Sequence, residues 1–156
     1  SYNLFVSNGI LFNHESPRRA SNFVTSKVVK SAVSIKLGLL DELKMGNLES
    51  QRDWGHSKDY VNAMQLMMCL EKPDDFVVST GETRSVRDLC KIVFEMLNLN
   101  YRDFVTQDVR YLRPEELPYL CGDSGKFRSI SGWKPQISFE QLISEMVDDW
   151  FRRLQK

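Results

Sequence analysis

Apolar residues recur at helical spacing in the first half of the chain. Between residues 22 and 37 they lie at i, i+4, i+8 and i+11, which predicts a helix that ends at Gly38. A second helix is predicted over about 57–71. Three of its apolar residues share one side: Val61, Met64 and Met68. Two amphipathic helices are therefore expected before the middle of the chain.

Two later helices have clear sequence signals at their amino-terminal ends. Apolar residues between 86 and 97 follow helical spacing, and Ser85 with Asp88 predicts a cap for this helix. The last helix begins at a capping box formed by Ser138 and Gln141. Its expected buried residues are Phe139, Leu142, Ile143, Met146, Val147 and Trp150. These helices are expected to pack on a common core.

Short apolar runs between the helices predict strands. They lie at 4–12, where Asn8-Gly9 divides the run in two, and at 43–45 and 76–78, and the first is consistent with a buried strand. Strands that alternate with helices are typical of an α/β fold. Only about four strand candidates are found, whereas a doubly wound sheet normally has about five to seven. An apolar flank would stay open unless another segment covered it, which indicates a portion of a larger unit.

Length and charge exclude several classes of protein. The chain has 156 residues, with 21 Lys or Arg and 21 Asp or Glu, so its formal net charge is zero. This length fits one ordinary domain. The balanced charge argues against nucleic acid or an acidic membrane surface as the partner. No apolar run reaches the roughly 18 residues of a membrane span and no leader is recognisable, so a cytoplasmic location is expected.

Signatures of catalysis are missing from the sequence. It contains no G-x-G-x-x-G or G-x-x-x-x-G-K-[ST] loop for a nucleotide phosphate, and no Tyr is followed by Lys four residues later. It also contains no G-x-S-x-G elbow and no His, Asp and Glu cluster at metal spacing. Cys69, Cys90 and Cys121 are odd in number and far apart, which argues against disulfides and zinc. Cys90 is expected to be a buried thiol on its helix.

Several polar loop residues have the chemistry of a binding site. Asn13 and His14 follow an apolar strand, at the edge where open α/β folds bind ligands. A guanidinium group suits phosphate recognition. Four arginines lie in such loops: Arg18, Arg19, Arg52 and Arg113. Each residue alone is more often a structural or solvated group, so the case depends on their combination.

The combination of motifs is far more specific than any one of them. The motifs are NGILFNHESPRR at 8–19, NFVT at 22–25, GNL at 46–48, RDWGH at 52–56, DYV at 59–61, AM at 63–64, RP at 113–114 and WKP at 133–135. Together they closely resemble the GDP-mannose 4,6-dehydratases, which belong to the extended short-chain dehydrogenase/reductases. The resemblance covers nearly the whole chain. It implies the carboxyl-terminal half of such an enzyme, starting just after the helix that carries the family's Tyr-x-x-x-Lys.

The resemblance implies a fold and a set of partners. The fold would be α/β, with the terminal part of an NAD(P)-binding Rossmann-type sheet and the smaller nucleotide-sugar-binding domain. Residues 1–12 and about 53–80 would belong to the Rossmann side, and about 13–52 and 81–156 to the substrate-binding domain. The expected partners are GDP-mannose, the amino-terminal half of the enzyme, and further copies in a dimer or tetramer.

The resemblance also implies binding roles for individual residues. His14 and Arg19 match positions that contact NADP, near the nicotinamide end and the neighbouring subunit's loop. The positions that match contacts to the GDP-sugar are Asn13, Val24 and Lys27. Those that match contacts to the diphosphate and the nucleoside are Arg52, Arg113 and Glu116. The segment 113–120 departs in part from the family pattern.

The implied activity of the complete enzyme is that of an NADP-dependent lyase. Hydride would pass from C4 of the mannose to NADP, water would leave across C5 and C6, and the hydride would return to C6, giving GDP-4-keto-6-deoxy-mannose. The catalytic residues would all lie in the amino-terminal half, so this chain is not expected to turn over by itself. Two other interpretations stay open: a non-catalytic nucleotide-sugar-binding or interaction module, and a nucleotide-sugar epimerase or reductase relative.

Overall fold

A computed structural model of the chain describes residues 2, 4–112, 115 and 117–155. The helices are α1 (Val24–Lys36), α2 (Ser57–Met68), α3 (Val86–Met96), α4 (Gly125–Ser131) and α5 (Phe139–Leu154). The strands are β1 (Asn8–Leu11), β2 (Asn13–Glu15), β3 (Leu43–Met45), β4 (Gln51–Arg52), β5 (Trp54–His56), β6 (Asp75–Val78), β7 (Arg84–Ser85), β8 (Val105–Gln107) and β9 (Tyr119–Leu120). Within these residues, no helix is long and apolar enough to cross a membrane.

The strands of the described residues form four small sheets. Three are parallel pairs, of β1 with β6, β2 with β5, and β3 with β8. In the fourth sheet, β4 lies between antiparallel β7 and parallel β9. This arrangement confirms the predicted α/β class. The predicted number of strands was too low, because most of the additional strands are only two or three residues long and show no periodicity.

The helix boundaries follow the predicted capping signals. Ser85 accepts a hydrogen bond from the Asp88 backbone N–H at 3.0 Å, and the Asp88 carboxylate accepts one from Ser85 N–H, which completes the predicted cap of α3. Ser138 caps α5 in the same way. By contrast, α1 begins after Phe23, whose side chain makes no capping hydrogen bond. The first N–H groups of α1 therefore lack the side-chain acceptor that most helices provide.

The larger hydrophobic core lies among α1, α3 and α5. Its buried residues include Val33 of α1, Phe94 of α3 and Met146 of α5, together with Trp54 of β5. Cys90 is also fully buried, as predicted, and burial raises the pKa of its thiol to about 12. This thiol is therefore a packing group in its neutral form.

A smaller hydrophobic core lies among α2, β6 and α4. The buried side of α2 carries Tyr60, Ala63 and Met67. Three other apolar residues of α2 share its exposed side, with exposed fractions of 51%, 40% and 59%: Val61, Met64 and Met68. The described residues thus cover only one side of α2, the side that faces the smaller core.

The first strand differs from its prediction as a buried strand. Within β1, Ile10 is 57% exposed, and Leu4 before it is 72% exposed. The reason is that β1 pairs with β6 along one edge, while no described element covers its outer face. This exposure agrees with the apolar flank that the sequence predicts.

Asp53 connects segments that lie beside the two cores. It is fully buried, and its Oδ1 accepts hydrogen bonds from the Thr80 backbone N–H at 2.9 Å and the Thr80 hydroxyl at 2.6 Å. Its Oδ2 accepts hydrogen bonds from the N–H groups of Gly81 at 2.9 Å and Gly122 at 3.2 Å. A carboxylate with four donors satisfies the rule that a buried charge needs partners. Asp53 therefore fixes two loops, at residues 80–81 and at Gly122, relative to β4 and β5.

Candidate functional site

A cavity of about 430 Å³ lies at the amino-terminal end of α1. Five residues with predicted ligand contacts line it: Asn13, Arg19, Val24, Lys27 and Arg52. They come from β2, the loop after it, α1 and β4, so only the folded chain brings them together. Arg113 and Glu116 lie outside the described residues. The cavity is therefore the candidate functional site.

The beginning of α1 gives one wall of the cavity a positive character. Phe23 and Val24 line the cavity, and the first turn of α1 contains no acidic residue. The N–H groups of a first helical turn have no intrahelical partners, and the helix dipole is positive there. Val24 can thus contribute through its backbone as well as its side chain. Such a helix end favours an anionic ligand.

Lys27 adds an amino group to the same wall. Its Nζ donates a hydrogen bond to the Lys44 carbonyl at 2.7 Å and lies 4.4 Å from the centre of the Tyr111 ring. Burial lowers the pKa of Lys27. A negative ligand in the cavity would oppose that shift, because it stabilises the charged form of the amino group.

Arg19 is held at the cavity by two contacts. Its Nε lies 3.0 Å from Oε2 of Glu15, and its guanidinium carbon lies 3.5 Å from the centre of the Phe23 ring. The neighbouring Arg18 is exposed, so only one of the two arginines faces the cavity. A guanidinium with a fixed orientation is suited to binding phosphate or carboxylate oxygens.

Arg52 lines the cavity from a different element of the fold. It lies on the central strand β4, between β7 and β9, and its side chain is half-buried. Its Nη1 donates a hydrogen bond to the Gln51 carbonyl at 2.7 Å. Arg52 and Lys27 therefore reach the same cavity from different elements, which gives a local concentration of positive charge in a chain of zero net charge.

His14 lies beside the smaller core and does not line the cavity. Its ring stacks on the Tyr60 ring at 4.8 Å between centres, and its Nδ1 lies 2.9 Å from the Phe12 carbonyl. A carbonyl oxygen only accepts, so Nδ1 carries the hydrogen, and Nε2 of the neutral ring is left as an acceptor. His14 is thus a predicted ligand residue that does not line the cavity.

Glu15 is a site residue that sequence reasoning missed. It is 2% exposed and lines the cavity, and its Oε2 also accepts a hydrogen bond from the Thr25 hydroxyl at 2.7 Å. Burial raises the pKa of Glu15, although Thr25 and Arg19 lower it. The one available signal was the arginine four residues later, and that spacing is informative chiefly in helices. Phe23 and Tyr111 also line the cavity without having been predicted.

No cluster for a metal ion is present in the part of the chain that the structure describes. There, no three His, Cys, Asp or Glu side chains lie close enough together to hold one. The chemistry available at the cavity is instead that of charged and hydrogen-bonding groups. These groups can bind and orient an anionic ligand.

Comparisons with known proteins identify one family. Residues 1–146 match the family model described as GDP-mannose 4,6 dehydratase. The chain is 51% identical over 149 residues to GDP-mannose 4,6 dehydratase 2 of Arabidopsis thaliana, which covers 96% of this chain and 40% of that protein. It is 46% identical over 164 residues to GDP-mannose 4,6 dehydratase of Homo sapiens, with 94% and 44% coverage. The chain thus spans less than half the length of these curated relatives.

A comparison with solved structures identifies a similar fold. The structure of RMD from Pseudomonas aeruginosa complexed with NADPH matches with a TM-score of 0.85 and 22% identity. The match covers 93% of this chain and 48% of that one. At this level of identity the similarity concerns the fold alone.

Proposed function

The chain belongs to the GDP-mannose 4,6 dehydratase family, and from this premise we propose that it is the GDP-sugar-binding portion of such an enzyme. The complete enzyme would convert GDP-mannose to GDP-4-keto-6-deoxy-mannose by internal redox dehydration with NADP. The observation that carries the proposal is the convergence of Arg19, Lys27 and Arg52 with the beginning of α1 on one cavity of about 430 Å³. The Arg52 guanidinium, the Lys27 amino group and the helix end suit the diphosphate of the GDP-sugar, and the Arg19 guanidinium suits the anionic cofactor.

Each predicted ligand residue has a role in this proposal. Asn13, Val24 and Lys27 contact the GDP-sugar, and Arg52 binds the diphosphate. Arg113 and Glu116 complete the diphosphate and nucleoside contacts from the segment that follows Leu112. His14 and Arg19 contact NADP. The acceptor Nε2 of His14 is compatible with a hydrogen-bond donor such as a carboxamide N–H.

The exposed apolar side of α2 supports a partner for the smaller core. We assign this partner as the amino-terminal half of the enzyme, which would carry the Tyr-x-x-x-Lys and the glycine-rich loop that the chain lacks. Residues 1–12 and about 53–80 would then complete the Rossmann side, and about 13–52 and 81–156 the substrate-binding domain. The chain alone would not turn over. The assembled enzyme would be a cytoplasmic dimer or tetramer.

Calorimetric titration with GDP tests the cavity. Arg52→Ala should weaken GDP binding by about 1.5–3 kcal/mol, because a charge-assisted hydrogen bond is lost. Arg102→Ala is the control, since Arg102 is exposed and does not line the cavity. Equal GDP affinity of the wild type and Arg52→Ala would remove Arg52 from the site.

Complementation tests the partner and the activity. A mixture with the amino-terminal half should dehydrate GDP-mannose, whereas neither half should do so alone. Met64→Lys should reduce this complementation and leave GDP affinity unchanged, because it places a charge on the exposed side of α2. Met96→Lys is the matched control, because Met64 and Met96 are 40% and 39% exposed on different helices. GDP binding without any complemented activity would favour the non-catalytic binding module.

A further inference from the structure

Glu15 lies where the two positively charged parts of the cavity wall meet. We propose that Glu15 is a positioning residue, which orients Arg19 and fixes the first turn of α1 through one buried carboxylate. This inference rests on the proposed function, because it concerns the anion-binding elements of that same cavity. It goes beyond that function by assigning a role to an acidic residue at a site for an anion.

The carboxylate of Glu15 is itself held in place. Glu15 is the last residue of β2, in parallel register with His56 of β5. Its backbone carbonyl accepts a hydrogen bond from the Ser57 hydroxyl at 2.9 Å, and its side chain is 2% exposed. Since the strand fixes the backbone and burial restricts the side chain, the carboxylate has little freedom to move with a ligand.

Arg19 meets this carboxylate through one edge of its guanidinium group. The contact is an ion pair in which Nε lies 3.0 Å from Oε2 without forming a hydrogen bond, so the two terminal nitrogens are left as a pair of donors for a ligand. Phe23 covers one face of the group. The Ser26 hydroxyl donates to the Arg19 backbone carbonyl at 3.0 Å, which restrains the main chain. The orientation of Arg19 is thus set before any ligand arrives.

Thr25 connects the same carboxylate to α1. Thr25 is fully buried in the first turn, and its hydroxyl donates to Oε2 of Glu15 at 2.7 Å. This contact brings a negative charge close to a helix beginning that has neither a side-chain cap nor an acidic residue in its first turn. A carboxylate is favourable there because of the helix dipole. Arg19 and the start of α1 therefore share one anchor.

Stability alone is a poor explanation for this carboxylate. Burial raises the pKa of Glu15, which means that desolvation of the charged form outweighs the help from Thr25 and Arg19. Buried ion pairs often contribute little net stability, because desolvation offsets the attraction between the charges. The acidic side chain at this position is better explained by the orientation that it imposes on Arg19.

A double-mutant cycle in the intact protein tests the inference, with GDP and NADP as separate probes. Glu15→Gln keeps the size of the side chain and an acceptor for Thr25 but removes the charge. Glu15→Gln and Arg19→Lys should each lower the affinity for the same probe by about tenfold. The double variant should also lose no more than about tenfold in affinity, because the two residues act as one unit. Glu82→Gln is the control. It breaks the ion pair between Glu82 and Arg84, whose charged atoms lie 3.1 Å apart, and neither residue lines this cavity.

The unfolding free energy separates positioning from structural support. Glu15→Gln should keep or raise the stability while the affinity falls, a combination that a purely structural role does not produce. If Glu15→Gln does not fold, Thr25→Val takes its place: it replaces the hydroxyl that donates to Glu15 by a methyl group and should weaken binding of the same probe about threefold. Additive losses in the cycle, or wild-type affinity in either of these variants, would overturn the inference.

The wild type distinguishes this inference from the proposed function. If the wild type binds GDP or NADP and Glu15→Gln binds equally well, only the positioning role of Glu15 is contradicted. If the wild type binds neither probe, the proposed function fails, and the role of Glu15 fails with it.

Discussion

The two hydrophobic cores of the chain differ in how completely its own elements enclose them. In the described residues, the larger core has twenty buried residues, and the apolar sides of α1, α3 and α5 face one another. The smaller core has seven, and the helix beside it leaves a row of apolar side chains exposed. The larger core is therefore enclosed by elements of the chain itself, whereas the helix beside the smaller core has apolar surface available for a further contact.

The candidate ligand residues follow the same division. Met45 of β3 and Trp54 of β5 line the cavity and belong to the larger core, and Val24 of α1 lines the cavity and packs against that core. His14 instead stacks on Tyr60 of the smaller core. The predicted contacts to the GDP-sugar thus rest on the enclosed side, and one predicted contact to the cofactor rests on the open side.

The largest expected effect is a cavity created in the larger core. Phe94 is fully buried, so Phe94→Ala should lower the free energy of unfolding by about 3–5 kcal/mol. Phe127→Ala in the smaller core should cost less, because the open side can collapse around the space. Denaturant unfolding measures both. Met96→Ala, on an exposed position of α3, should stay within about 0.5 kcal/mol of the wild type. A larger loss for Phe127→Ala would reverse the comparison.

A smaller effect is expected at Asp53, beside both cores. Asp53→Asn replaces an acceptor oxygen by an amide group that faces N–H donors, so it should cost about 1.5–3 kcal/mol. The free energy of unfolding is again the measurement. Asp41→Asn serves as the control, because Asp41 is exposed. If both variants are equally stable, the hydrogen bonds of Asp53 to the two loops contribute nothing to the free energy of unfolding.

A weaker, pH-dependent difference is expected at the cavity wall. Because burial raises the pKa of Glu15 above its ordinary 4.5, the folded protein holds this proton more tightly than the unfolded chain. The contribution of protonated Glu15 to the free energy of unfolding is fully present below about pH 4.5, and it is lost as the pH rises through the pKa of Glu15 in the folded protein. Glu15→Gln cannot titrate, so its unfolding free energy should fall less over this interval. Parallel pH profiles of the two proteins would contradict the assignment.

The smallest effect is expected at a hydroxyl in the smaller core. The hydroxyl of Tyr60 is buried without a hydrogen-bond partner among the described residues, and burial raises its pKa. Tyr60→Phe should therefore change the unfolding free energy by less than about 0.5 kcal/mol, or stabilise the protein. Tyr60→Leu should be clearly less stable, because it loses the ring contacts to His14 and Trp133. A large loss for Tyr60→Phe would indicate a hidden partner for the hydroxyl.

The sequence was a good guide to the helices and to the family. Helices with long apolar repeats and caps, such as α3 and α5, were predicted correctly because several independent signals agree over many residues. The family prediction is confirmed by the match over residues 1–146. For α2, the pattern predicted an apolar side, but a single sequence does not reveal whether the chain itself covers that side.

The residues of the candidate site could not be grouped from short sequence patterns alone. Arg19, Lys27 and Arg52 were placed together through the resemblance, since no spacing rule relates residues on different elements. Glu15 was missed because its importance comes from Thr25 on the following helix, and burial cannot be seen in a polar run. The proposed domain boundaries stay a prediction.

Residues 52–56 show how many requirements a short segment can satisfy. Arg52 faces the cavity, Asp53 binds the loops, and Trp54 packs in the larger core. Gly55 has no room for a Cβ atom, which would lie 2.5 Å from the tyrosine ring of α2, and His56 caps that helix. Each position is constrained by a different neighbour, so the other four residues of the segment cannot compensate for a substitution at any one of them. In a saturation library of the whole chain, this pentapeptide should therefore be the segment with the lowest mutational tolerance.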